Sequence, residues 1–326
     1  MADFKLYIGT EHGLYQLECQ DNTWHLLHLG LFGKNITGLA VAPKMEKLYA
    51  AVQGYGVYQA KLPLALKPAI QWQQILAANA HTLLIDQVDK NKLWVGVEPP
   101  GLYHSRDDGQ TWLDLSDGLL SLSSAVDWSY PTPPYQAQVR TMVQQPGNPH
   151  TLLAGIAIGG VVRSQDGGFT WSTSTEGLDE EVQVLVAHPQ QPHFYLAATG
   201  AGLYLSKDGG QTWAEAAELL VDFAVTALIS VTGVCLVALS NTPPGNWIEN
   251  ATTTLYRSDD LGHTWNEVDL ATPRYITALG DDLDLSGSLY AGTQDGSVLV
   301  SDDEGQSWQT IAQVDGAINL FCLPRN

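Results

Sequence analysis

Short apolar runs recur along the whole chain, alternating or clustering as in half-buried strands, and polar turn residues separate them. From Val182 the order is VQVLVAHPQQP, HFYLAATGAG, GLYLSKDGG and QTWAEAAEL, which predicts four short strands joined by Gly- and Pro-rich turns. The third run has counterparts throughout: GLYHS, GVVRS, TLYRS and SVLVS. Each leads into a polar box of one pattern, so the chain is read as repeats before it is read as domains.

The box is S-x-D-x-G-x-[ST]-W, and it is near-complete five times. Its members are Ser105, Asp107, Gly109 and Trp112; Ser164, Asp166, Gly168 and Trp171; and Ser206, Asp208, Gly210 and Trp213. Ser258, Asp260, Gly262 and Trp265 follow, then Ser301, Asp303, Gly305 and Trp308. Two degenerate copies end at Trp24 and Trp72, making seven. Four strands repeated at this period predict an all-β, seven-bladed β-propeller of four-stranded antiparallel blades.

The termini extend that expectation. FKLYIGTEHG matches the second strand of a blade, and GAINLFCLP matches a first strand. The C-terminal strand is therefore expected to pair with the N-terminal blade and close the ring. One propeller would span 1–326, with blade one made of 1–30 plus 316–324. Closure removes the open sheet edges that invite association.

The reactive residue types in the box suit a turn better than chemistry. An Asp accepts hydrogen bonds from nearby backbone amides, glycines permit positive φ, and the tryptophan offers an apolar plate beneath. An active site is built once, whereas this pattern recurs in every later repeat.

Composition narrows the partners. A chain with 44% hydrophobic and 15% charged residues is globular. Its net charge of −20, from 15 basic and 35 acidic residues, leaves too little Lys and Arg for a nucleic-acid face or an anionic membrane surface. Cys19, Cys235 and Cys322 are far apart and odd in number, which predicts reduced thiols and no disulfide framework. With neither a signal-peptide pattern nor a membrane-length apolar run, the expectation is a soluble, cytoplasmic monomer.

No enzyme is legible. His25 with His28, and His188 with His193, lack further ligands at recognised spacings, and no phosphate loop, dinucleotide fingerprint or nucleophile elbow occurs. Loop acids such as Asp127, Asp179, Glu181 and Asp295 single out no glycosidase pair. Neither a metal nor a cofactor is expected.

The box resembles the Asp-box, or BNR repeat, of sialidase-type propellers, a resemblance that covers nearly the whole chain. It implies that the boxes lie at the blade periphery, away from the binding face. Sialidases would further imply three arginines around a carboxylate; of six arginines here, Arg140 and Arg274 alone begin first strands. In size, the single propeller is loosely similar to the photosystem II assembly factors, although it lacks the arginine-rich patch which that resemblance implies.

Function in a propeller sits on its loops. Two are long: Ser116 to Gln138, between blades three and four, and Ser240 to Thr253, within blade six. Strand alternation places both on the face opposite the boxes. The candidate site on that face comprises Tyr55, Glu98, Trp128, Tyr130, Tyr135, Arg140, Trp247, Arg274 and Tyr275. Exposed aromatics among prolines suit a protein or peptide partner, or, as the alternative, a glycan in a carbohydrate-binding or glycoside-hydrolase-like protein.

Overall fold

The computed structural model describes residues 4–21, 23–42, 46–62, 70–130, 133, 135–243, 253–270, 275–282 and 287–323. Their strands form seven four-stranded sheets, each antiparallel throughout. Blade two shows the pattern: Ile36–Ala42, Lys47–Val52, Gly56–Lys61 and Gln73–Leu76, in chain order from the axis outward. Each first strand touches the first strands of both neighbouring blades, so these seven strands line the axis as a closed ring.

Ring closure follows the expected route. Ile318–Cys322 pairs antiparallel with Phe4–Thr10, which continues through Gly13–Gln20 to Thr23–Gly30. Asn319 donates its side-chain amide to Ile36 O at 2.9 Å, and Thr277 Oγ1 donates to Ile318 O at 2.6 Å, so the closing strand is held from both sides.

Apolar packing is distributed between the blades. Seven buried clusters fill the seven interfaces; Leu185, Tyr195 and Trp213 of blade five, for example, meet Leu153 and Val161 of blade four. Near the axis the blades approach most closely, and the second strands carry Gly or Ala there. A Cβ on Gly155 would lie 2.6 Å from Val182 of the next blade, and one on Gly292 would lie 2.5 Å from Ile318. Where the second strand instead has Ala51 or Ala198, the matching first strand of the next blade brings only Ala80 or Ala224. Small and large residues are matched across these wedges, while Ala238 of blade six meets Ile276.

Each of the five near-complete boxes ties one hairpin between a third and a fourth strand. In blade five, Ser206 Oγ donates to Asp208 Oδ1 at 2.8 Å and accepts from Gly210 N at 2.9 Å. Asp208 in turn accepts from Thr212 N at 3.0 Å and Thr212 Oγ1 at 2.7 Å. Trp213 reaches across to blade four and donates to Ser174 O at 2.8 Å, as Trp112 does to Ile75 O of blade two at 2.9 Å. The pattern thus closes turns and, in these two copies, staples blades.

The connection from Ser116 to Gln138 contains more regular structure than a loop. Ser116–Leu120 is a short α-helix and Ser123–Asp127 a 3-10 turn, because Leu115 and Leu119 are drawn into the cluster between blades three and four. In the blade-six connection, residues 244–252 lie outside the described part. No described helix is long and apolar enough to cross a membrane.

Candidate functional site

A feature common to all blades aims side chains at the axis. Near its start, every first strand carries a β-bulge, one extra residue opposite the second strand. The extra residues are Thr37, His81, Arg140, Gln183, Val225, Thr277 and Asn319. A bulge takes a residue out of the ladder and re-aims its side chain. All seven line a cavity of about 880 Å³ on the axis.

The cavity lies at the loop-face end of the axis. Glu11, Gln53, Glu98 and Gln294, from the turns between second and third strands, form its mouth with Tyr130 and Pro133, while Leu279 and Phe321 lie deeper. Its volume is that of a ligand pocket.

The bulge residues divide into two groups. In blades seven, one and two the side chains are used structurally: Thr277, Asn319 and Thr37 each donate to a backbone carbonyl of the next first strand, Thr37 to Ala80 O at 3.1 Å. His81, Arg140 and Gln183 point their polar groups at other side chains around the cavity, and Val225 has no polar group. These four belong to blades three to six, and the Ser116–Gln138 connection joins the first two of those blades.

Charge gathers in the same sector. His81 Nε2 lies 2.9 Å from Glu98 Oε2, which also accepts from Asn79 Nδ2 at 3.0 Å. Burial pushes the His81 pKa down, against the upward pull of Glu98, and the Arg140 charge lowers it further. Arg140 is itself pulled below the usual guanidinium range by burial, opposed by the nearby Tyr130 and Glu181 and by a hydrogen bond with the Tyr130 phenol. Burial raises the Glu181 pKa although Arg140 lowers it; Glu181 Oε1 accepts from Gln183 Nε2 at 3.1 Å.

The structure thus brings Glu98, Tyr130 and Arg140 to one cavity. Tyr135 and Tyr55 are exposed; Lys34 Nζ sits 3.2 Å from the Tyr55 ring centroid. Tyr130 N–H donates to Tyr135 O, closing the loop that sends one tyrosine inward and the other out. The Trp128 indole lies against Gly159 and joins the apolar cluster between blades three and four. Tyr275 O accepts from Gln294 N at the cavity mouth. Trp247 and Arg274 lie outside the described residues.

His81 and Gln183 were not among the residues singled out from sequence. Their signal is faint: the second residue of each first-strand run (ITG, AHT, VRT, VQV, AVT, ITA, INL) is polar in every copy but one.

Residues 169–322 match the family of photosynthesis system II assembly factor YCF48. The match runs from the blade-four box to the closing strand, just under half of the chain. The chain is a propeller loosely similar to those assembly factors. No curated protein matches it in sequence. Among solved structures it is similar to a GH74 enzyme of Niastella koreensis, with TM-score 0.67 and 16% identity, covering 84% of this chain and 45% of that one. It thus spans about half the length of that enzyme. A YCF48 bound to D1 peptide gives TM-score 0.58 and 15% identity over 84% of this chain and 81% of that one. YCF48 from Cyanidioschyzon merolae gives 0.57 and 14% over 86% and 87%. At such identities the likeness is one of fold.

Proposed function

We propose that this protein is a non-enzymatic binding propeller that takes a protein or peptide segment on its loop face, with the axial cavity receiving part of that segment. One observation carries the reading: in blades three to six the bulge side chains are free of the inter-blade bonding that occupies Thr37, Thr277 and Asn319, and they face a ligand-sized cavity. Amide and hydroxyl groups dominate the lining, and these suit the alternating donors and acceptors of a peptide backbone. Tyr55 and Tyr135 add exposed aromatic area at the rim, at small entropic cost. The YCF48 structure bound to D1 peptide supports a peptide ligand, since it shares fold and approximate length.

The fold likeness to a GH74 enzyme favours a second reading, a carbohydrate ligand on the same face. Capture from native extract tests both. The wild type is expected to retain a discrete protein, and the double variant Tyr130→Ala, Arg140→Gln is expected to lose it while keeping the same unfolding midpoint. Turnover of xyloglucan or another glycoside would overturn the non-enzymatic reading, and binding confined to a glycan array would favour the second.

A further inference from the structure

The cavity holds one residue whose chemistry the protein leaves incomplete. Arg140 offers five N–H donors, yet it forms none of the ion pairs found among the described residues. The side chain that bonds to it is the Tyr130 phenol. The carboxylates nearest in the fold are engaged elsewhere: Glu98 binds His81 and Asn79, and Glu181 binds Gln183. Even a half-buried guanidinium short of acceptors costs a fold something. The position does not require that cost, because the same bulge is filled by Thr, Gln, Val or Asn in other blades.

We infer that the axial cavity is a carboxylate-binding site, in which the Arg140 guanidinium, oriented by the Tyr130 phenol, grips a free carboxylate arriving from the loop face. The planar fork of arginine matches a carboxylate with two parallel hydrogen bonds, a geometry that lysine cannot copy. Among anions a monoanion is opposed least, because Glu11 and Glu98 at the mouth and Glu181 beside Arg140 repel the second charge of phosphate or sulfate more strongly. The room left, about 880 Å³, far exceeds one carboxylate and admits whatever carries it, either the last residues of a chain or a small organic acid. This inference rests on the reading of the loop face as the binding face.

The test uses the full chain and defined probes. The Arg140 Nε–H resonance, assigned by its loss in Arg140→Lys, is followed during titration with acetyl-dialanine, its C-terminal amide, succinate and inorganic phosphate. The free acid is expected to shift this resonance and to bind at least about tenfold more tightly than the amide, the scale of one charge-assisted hydrogen-bonded pair. Tyr130→Phe is expected to weaken binding several-fold, and Arg140→Gln to abolish it with the fold intact by circular dichroism. A dipeptide acid stronger than succinate supports a chain end; the reverse supports a small acid. Equal affinity for acid and amide, tighter binding of phosphate, or undiminished binding by Arg140→Gln overturns the inference. Partner capture that persists without carboxylate binding sinks the inference alone, whereas carboxylate binding without any captured partner sinks the partner reading alone.

Discussion

At the level of single residues, the box aspartates show how a reactive group is kept for structure. Asp260 and Asp303 are held at about 2, first by the hydroxyls of Thr264 and Ser307 and then by backbone amides. Asp208 also falls to about 2, there against the upward push of its partial burial. A carboxyl whose folded pKa lies below its unfolded value of about 3.9 adds stability that is complete above that value and is lost as pH falls through the folded pKa. The boxed turns are therefore expected to keep full stability down to about pH 5 and to weaken between about pH 4 and 2. Carbon-13 titration of the aspartate carboxyls checks this. Midpoints for Asp260 and Asp303 near the unperturbed value would mean that the hydroxyl bonds are not made to the charged form.

At the level of elements, the packing between blades rests on matched sizes. Gly155 faces Val182, and a Cβ there would also meet Thr141 at 2.7 Å, so Gly155→Ala overpacks the wedge. A cost of about 1–3 kcal/mol is expected. Adding Val182→Ala recreates the Ala-with-Ala pairing of Ala198 and Ala224. The double variant is expected to be less destabilised than the sum of the singles by about 0.5–3 kcal/mol, measured from urea midpoints. Strict additivity would show that the two positions do not share the strain.

The same scale explains what could be read in advance. Box chemistry was legible because it is local: Ser206, Asp208, Gly210 and Thr212 bond to one another within one turn, so spacing alone encodes it. Blade number follows from counting those turns, and ring closure from the match of the two termini to a second and a first strand. The bulges were not legible, since an extra residue is defined by the partner strand, and the residues that fill it share no side-chain type. Of the candidate residues, Arg140 is legible as a cavity-lining position from its place at a strand start. His81 is not legible, because its partner Glu98 belongs to a different strand end. The helix at Ser116–Leu120 is too short to show a period in the sequence.

On the scale of the whole molecule, stability depends on closing the circle. Ile318–Cys322 gives blade one its inner strand and connects blade seven to blade two through Thr277 and Asn319. Removing residues 316–326 would leave Phe4–Thr10 without its inner neighbour, an open edge of the kind that templates association. The truncated chain is expected to elute as oligomers or aggregates and to lose its cooperative unfolding, as seen by size-exclusion chromatography and thermal denaturation. A folded, monomeric truncation product would show that the interfaces hold the ring without its clasp.

The bulges also separate what a blade needs from what it displays. Because each places one residue outside the ladder, a blade can exchange that residue without renegotiating its strand pairing, its neighbours or its turn. Blades that spend the position on a bond to the next blade give up this freedom, and blades three to six retain it. The lining on that side is in effect four separately editable characters on a fixed page, so new specificities are reachable by single substitutions that leave folding untouched.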